Sequence, residues 1–384
     1  MNLKDDFIID LRYQFIFSII VAVILGFLFS LFKNDIGYDE RLYLINGEFL
    51  LNDGFHNVKN LPFISLLFYL SVLPFEDELV GLRVLYALSL TLISIFQFYF
   101  AYQLGEKKNP IISSLIVLII PGLAVLNLYS LANLVSTSLL MFGLFLVCLY
   151  IKYKKFLLIF SIGIFFSLLY QSRAEFLFIF LILLLSWPLL IDYKNKKYRF
   201  LLRDLLILVL TFILILFPWQ YFLYKNDLYF ISTASGRGWR SVYHYVFNEG
   251  LFSNFIINSK EIIIILIKNS FEHLKNLGSP KLFPIFFLPL VGIGFLQLTK
   301  SRILFIFMTP LVIFFPLCGY YHPDFNLTRM FTPMMPILSM CLSVFITSTN
   351  KNNKNYLKIK FFSVFIVLFL YTLSFFIFGN TTYK

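Results

Sequence analysis

The sequence predicts an all-α polytopic membrane protein. It should form one integral membrane domain over 1–384, with about eleven transmembrane helices and interfacial helices in the first external loop. Three observations carry the prediction. Hydrophobic residues make up 59% of the chain and charged ones only 14%, whereas a soluble globular domain is about 45–50% apolar and about 25% charged. The apolar residues fall into runs long enough to cross a hydrocarbon core, which takes about 20 residues of helix. The charges fall between the runs, mostly as short clusters of lysine and arginine.

Taken in order, the runs lie at about 14–32, 80–104, 111–128, 132–151, 156–170, 174–191, 204–224, 283–299, 302–320, 330–348 and 360–379. The first is long for a signal-peptide core and lacks a small-residue cleavage site, so it is expected to be retained as a helix. The stretch 156–191 is too long for one span and is interrupted by Gln171-Ser172-Arg173-Ala174-Glu175. Two short helices meeting at a polar turn fit it better. The segment 61–74 is apolar but short, which suits a re-entrant or interfacial helix.

The net charge of +12 is distributed as the positive-inside rule requires. With a cytoplasmic N-terminus, the basic clusters at 106–109, 152–155, 194–203, 299–302 and 351–360 all fall on the cytoplasmic side. Anionic lipid headgroups are their expected neighbours, and nucleic acid is not. Facing out are the first external loop (33–78), the Arg173 turn, a second large segment (225–281) and 321–329. Cys148, Cys318 and Cys341 lie inside apolar runs with no metal-type or disulfide spacing. The stretch 252–277 is expected to be another interfacial helix rather than a twelfth span.

The first external loop opens with Asn34-Asp35-Ile36-Gly37-Tyr38-Asp39-Glu40-Arg41-Leu42-Tyr43. After its acidic pair, Leu42, Ile45 and Phe49 recur at helical spacing, and Gly54 is placed to end the helix. Behind it come Glu48-Phe49-Leu50-Leu51-Asn52-Asp53-Gly54, Lys59-Asn60-Leu61-Pro62-Phe63, Arg83-Val84-Leu85, Arg173-Ala174-Glu175 after a half-span containing Gly163, and Arg329-Met330-Phe331-Thr332-Pro333-Met334-Met335-Pro336. This ordered set resembles the GT-C glycosyltransferases, in the branch of the protein O-mannosyltransferases and the aminoarabinose transferase of lipid A. The likeness covers about residues 35–190, and more weakly 320–345. One departure stands out: an acidic residue often found in the family between the third and fourth spans is here Asn133.

The resemblance implies inverting transfer of a sugar from a polyprenyl-phosphate carrier to a glycan, lipid or protein acceptor on the outer or periplasmic face of a bacterial inner membrane. Such chemistry needs a carboxylate to take the acceptor's proton, cations to stabilise the departing lipid phosphate, and an apolar groove for the prenyl chain. Asp39 is the candidate general base, with Glu40 a supporting acceptor contact or a partner for Arg41. The alternative for the pair is plain stabilisation of a helix N-terminus. Lys59, Arg83, Arg173, Arg237, Arg240, His244, His322 and Arg329 are the candidates for binding donor phosphate and substrate. Arginine suits phosphate oxygens, and Trp239 and Tyr243 add aromatic faces. No cofactor is firmly implied. A divalent metal lacks support, with Asn133 in place of an acid and only His322 and Asp324 close in sequence.

Two other classes compete. A glycan polymerase or ligase also has many spans and arginine-bearing external loops, but it does not call for an acidic pair directly after the first span. A flippase or transporter should carry ionisable residues at mid-membrane and internal repeats. The spans here are nearly free of charge.

Overall fold

The computed structural model describes residues 3–55, 61–104, 109–128, 131–173, 176–190, 198–226, 283–298, 332–348 and 354–378, with isolated positions between 259 and 267. Every regular element among them is helical: α1 (Leu3–Ser30), α2 (Tyr38–Asn52), α3 (Pro62–Val72), α4 (Glu78–Leu104), α5 (Pro110–Leu118), α6 (Pro121–Ala124), α7 (Leu131–Tyr153), α8 (Phe156–Tyr170), α9 (Phe176–Leu190), α10 (Tyr198–Lys225), α11 (Leu288–Leu298), α12 (Met335–Ser348) and α13 (Lys354–Phe378). Five of the described helices are long and apolar enough to cross a membrane: those containing 10–30, 78–103, 131–153, 201–225 and 359–376. The protein is an integral membrane protein with an all-helical polytopic fold. Ten of the eleven predicted runs contain described helix, and the run at 302–320 lies outside the described residues. So, apart from isolated positions, does 252–277.

The stretch 156–191 divides as expected, with α8 and α9 flanking a turn at Gln171–Arg173. The loop helices α2 and α3 are also present. They pack closely, with Tyr43 against Phe68 at 5.2 Å between rings. A Cβ on Gly47 would collide with the Ser65 carbonyl and the Tyr69 side chain. Glycine there lets the two backbones meet.

The run at 111–128 is a correction. It is not one continuous span: α5 stops at Leu118, and Ile120 turns extended ahead of Pro121, as the residue before proline prefers. Backbone carbonyls freed inside an apolar bundle need partners, and side chains supply them. Thr372 Oγ1 donates to Ile119 O at 2.5 Å, Asn127 Nδ2 to Leu123 O at 2.8 Å, and Tyr86 OH to Ala124 O. The irregular segment then runs on to Leu128 and the start of α7, which gives it a place in the site below.

Buried polar contacts also tie the long helices together. Ser18 of α1 meets Ser114 of α5. Ser94 of α4 donates to Ser114 O at 3.0 Å, and Gln97 Nε2 reaches both Ser113 Oγ (2.9 Å) and Pro336 O (2.8 Å) of α12. Such bonds between helices are a common glue in membranes. Where α11 meets α12, a glycine allows the close approach. A Cβ on Gly294 would fall on the Cys341 carbonyl, 2.7 Å from its carbon. Gly294→Ala is therefore expected to push the helices apart and destabilise the protein by about 1–3 kcal/mol. Thermal unfolding of the purified protein in detergent checks this, and an unchanged midpoint would contradict it.

Contacts along the helices give their directions. Gly26 lies against Ala87 and Phe15 against Phe98, so α1 and α4 are antiparallel. Only Lys154 and Lys155 separate α7 from α8, and Gly143 lies against Phe165, Phe166 and Leu169, so α8 folds back antiparallel to α7. The end of α1, the starts of α2, α4 and α7, and the Arg173 turn therefore share one end of the bundle. The opposite end carries Lys152 and Lys154, with the buried Asp204 carboxylate bonded by Tyr150 OH and by Arg203 Nη2 at 2.9 Å. From Leu131 to Tyr150 is about 28 Å at 1.5 Å per residue, close to the thickness of a bilayer core.

Candidate active site

The site begins where α1 runs out. Its last turn tightens, with Lys33 N bonded to Ser30 O at 3.0 Å, and the Lys33 side chain turns inward to 1% exposure. An ammonium so buried needs a partner. Its Nζ lies 2.9 and 2.7 Å from the two carboxylate oxygens of Glu40, and 2.8 Å from Leu128 O.

Glu40 is equally buried, at 2% side-chain exposure. Gly37 is the residue before α2, so Glu40 falls in the first turn. Its carboxylate reaches back to Gly37 N at 2.9 Å, the acidic half of a capping box. It also accepts from Leu131 N, the first residue of α7, at 3.3 Å. One carboxylate thus joins the end of α1, the start of α2 and the start of α7. Arg83 of α4 completes the set from behind, with Nε and Nη2 on Lys33 O at 3.0 and 2.8 Å.

Successive helical residues point about 100° apart, which separates the acidic pair. Glu40 faces the bundle interior. Asp39 is half-buried at its edge, and Arg41 is exposed. The expected pairing of Glu40 with Arg41 is therefore corrected: the partner is Lys33, which sits seven residues earlier at the end of α1. Asn133 is buried in the first turn of α7, two residues beyond the amide that Glu40 accepts from.

Arg83, proposed for donor phosphate, spends at least two of its N–H groups on the Lys33 carbonyl. Arg173 is half-buried in the turn between α8 and α9, its backbone N bonded to Leu169 O at 3.0 Å. Lys59, Arg237, Arg240, His244, His322 and Arg329 lie outside the described residues, as does Glu175. Among the described residues no three metal-ligating side chains come together.

No protein-family model and no curated protein matches the chain. Among solved structures, ArnT from Cupriavidus metallidurans, in a crystal structure bound to undecaprenyl phosphate, matches over 92% of this chain with a TM-score of 0.59 and 14% identity. The chain has an ArnT-like fold. It spans 63% of the length of ArnT. The likeness to the GT-C glycosyltransferases therefore stands as a likeness of fold.

Sequence reasoning missed Lys33. A signal for it existed. Lys33 is a cation directly at the end of a long apolar span. An ion at membrane depth calls for a named partner, and an acid seven residues on was available.

Proposed function

We propose that the protein is a membrane glycosyltransferase that moves a sugar from a polyprenyl-phosphate carrier to an acceptor hydroxyl, with inversion. The observation that carries this reading is the ArnT-like fold, whose solved example holds undecaprenyl phosphate, together with a half-buried Asp39 beside a fully partnered Glu40. The lipid A aminoarabinose transferase is the type of reaction this suggests.

In the proposed step, Asp39 takes the proton of the acceptor hydroxyl. The acceptor oxygen attacks the anomeric carbon from the face opposite the phosphate. The bond from that carbon to the phosphate oxygen breaks, and the electron pair leaves with the lipid phosphate. Arg173 shares the Asp39 end of the bundle and is a candidate to stabilise the departing charge. Lys59, Arg237, Arg240, His244, His322 and Arg329 are candidates for the same task or for holding the sugar. The glycan, lipid or protein acceptor would meet this end on the external or periplasmic face of the inner membrane, with the N-terminus and the Lys152–Lys155 end in the cytoplasm.

The test is a screen of polyprenyl-phosphate sugars with the purified protein in lipid nanodiscs, read by product mass. A covalent glycosylated product with release of polyprenyl phosphate is expected. Movement of a lipid-linked glycan across the bilayer with no covalent product would overturn the reading.

A further inference from the structure

We propose that the buried Lys33–Glu40 pair is a positioning device for Asp39, a lock that fixes the first turn of α2 against the starts of α4 and α7. The proposal rests on the reading of Asp39 as base. Its physical content is separate.

The lock is built from bonds between segments far apart in sequence. Glu40 holds Lys33 Nζ, Gly37 N and Leu131 N, and Lys33 Nζ also holds Leu128 O. The Lys33 carbonyl is gripped by Arg83. Three helix ends thus converge on two side chains, and Arg83 ties the start of α4 to the backbone beside them. Asp39 precedes Glu40 within the same helical turn, so fixing the Glu40 side chain and the Gly37 amide fixes the Asp39 backbone. Asp39 itself stays half-exposed on the adjoining face.

A buried ion pair is a poor source of net stability, because desolvating two charges offsets most of their attraction. Its best-attested use is to specify one arrangement among several. A first turn able to slide or fray would misplace the base, and a displacement of about 1 Å can lower a rate about 100-fold. A lock of this kind acts on kcat, because it aims the base and does not touch the lipid donor. Glu40 is then a positioning residue, not the proton acceptor.

The test uses the full chain in nanodiscs, as wild type, Glu40→Gln, Lys33→Met and Asp39→Asn, with kcat normalised to the folded fraction at the assay temperature. Glu40→Gln is nearly isosteric and keeps an acceptor for one backbone amide, so it can fold where a bolder change fails. The expected result for Glu40→Gln and for Lys33→Met is a kcat about 10- to 100-fold lower, an unchanged KM for the lipid-linked sugar, and a retained acidic limb in the pH–rate profile. Hydrogen–deuterium exchange is expected to speed up in both 38–44 and 131–135. Two results would overturn the proposal. In one, Glu40→Gln falls to the Asp39→Asn level and loses the acidic limb, which makes Glu40 the base. In the other, kcat and exchange in both windows match wild type. Should wild type transfer no sugar, the proposed function fails, and exchange in the two windows still decides whether the lock exists.

Discussion

Asp39→Asn is expected to lower kcat for sugar transfer by about 100- to 10,000-fold, the range for loss of a positioned general base, with little change in thermal stability. The substitution keeps size and shape and removes only the ability to accept a proton at the working pH. Asparagine is well tolerated near a helix N-terminus. The rival account of Asp39 is that it stabilises the start of α2, and the two accounts predict different things. An acid in the first turn contributes about 0.3–1 kcal/mol through the helix dipole. If that were its whole role, Asp39→Asn would shift the unfolding midpoint slightly and leave turnover alone. The structure already narrows the choice, because Glu40 reaches back to the Gly37 amide and supplies the capping bond. Turnover per folded molecule, measured beside thermal unfolding, separates the accounts. A variant with wild-type turnover would sink Asp39 as base.

Much of the fold was legible in the sequence for a simple reason. A bilayer admits only helices and closed barrels, so a long apolar run states both its structure and its environment. The split of 156–191 was legible because the length exceeded one span and the Arg173 turn was polar. Helix α2 was legible from the spacing of Leu42, Ile45 and Phe49. The break at Pro121 was not. Residues 111–128 read as one long, mostly apolar run despite Pro121, and the remote partners that make the break tolerable are Tyr86, Thr332 and Thr372. The site divides in the same way. The acidic pair stood out as charge in an apolar chain. Which acid was buried and which half-exposed depended on the rotation of α2 about its axis, and hence on α7 and Lys33. Arg83 was readable as a candidate phosphate ligand, but its two bonds to the Lys33 carbonyl were not. Types and spacings of residues were readable, whereas the pairing of remote polar groups required the packed bundle.

The largest expected loss of stability comes from Lys33→Met alone, about 3–5 kcal/mol, because removing one member of a buried pair strands the other. Methionine replaces the lysine stem at nearly the same volume, so packing is not the cause. The stranded group is the Glu40 carboxylate at 2% exposure, left with the Gly37 and Leu131 amides and no cation. Leu128 O loses its donor as well. Adding Glu40→Gln should recover most of the loss. No charge then remains in the pocket, the glutamine oxygen can accept from a backbone amide, and its nitrogen can donate toward Leu128 O. Removing both charges together is often neutral for stability, as continuum arguments and core replacements indicate. Midpoints for the two singles and the double form a cycle whose coupling term isolates the pair. A coupling near zero would mean that the pair contributes nothing beyond its separate members. A stable double variant that still turns over slowly would place the value of the pair in the aim of Asp39 and not in the strength of the fold.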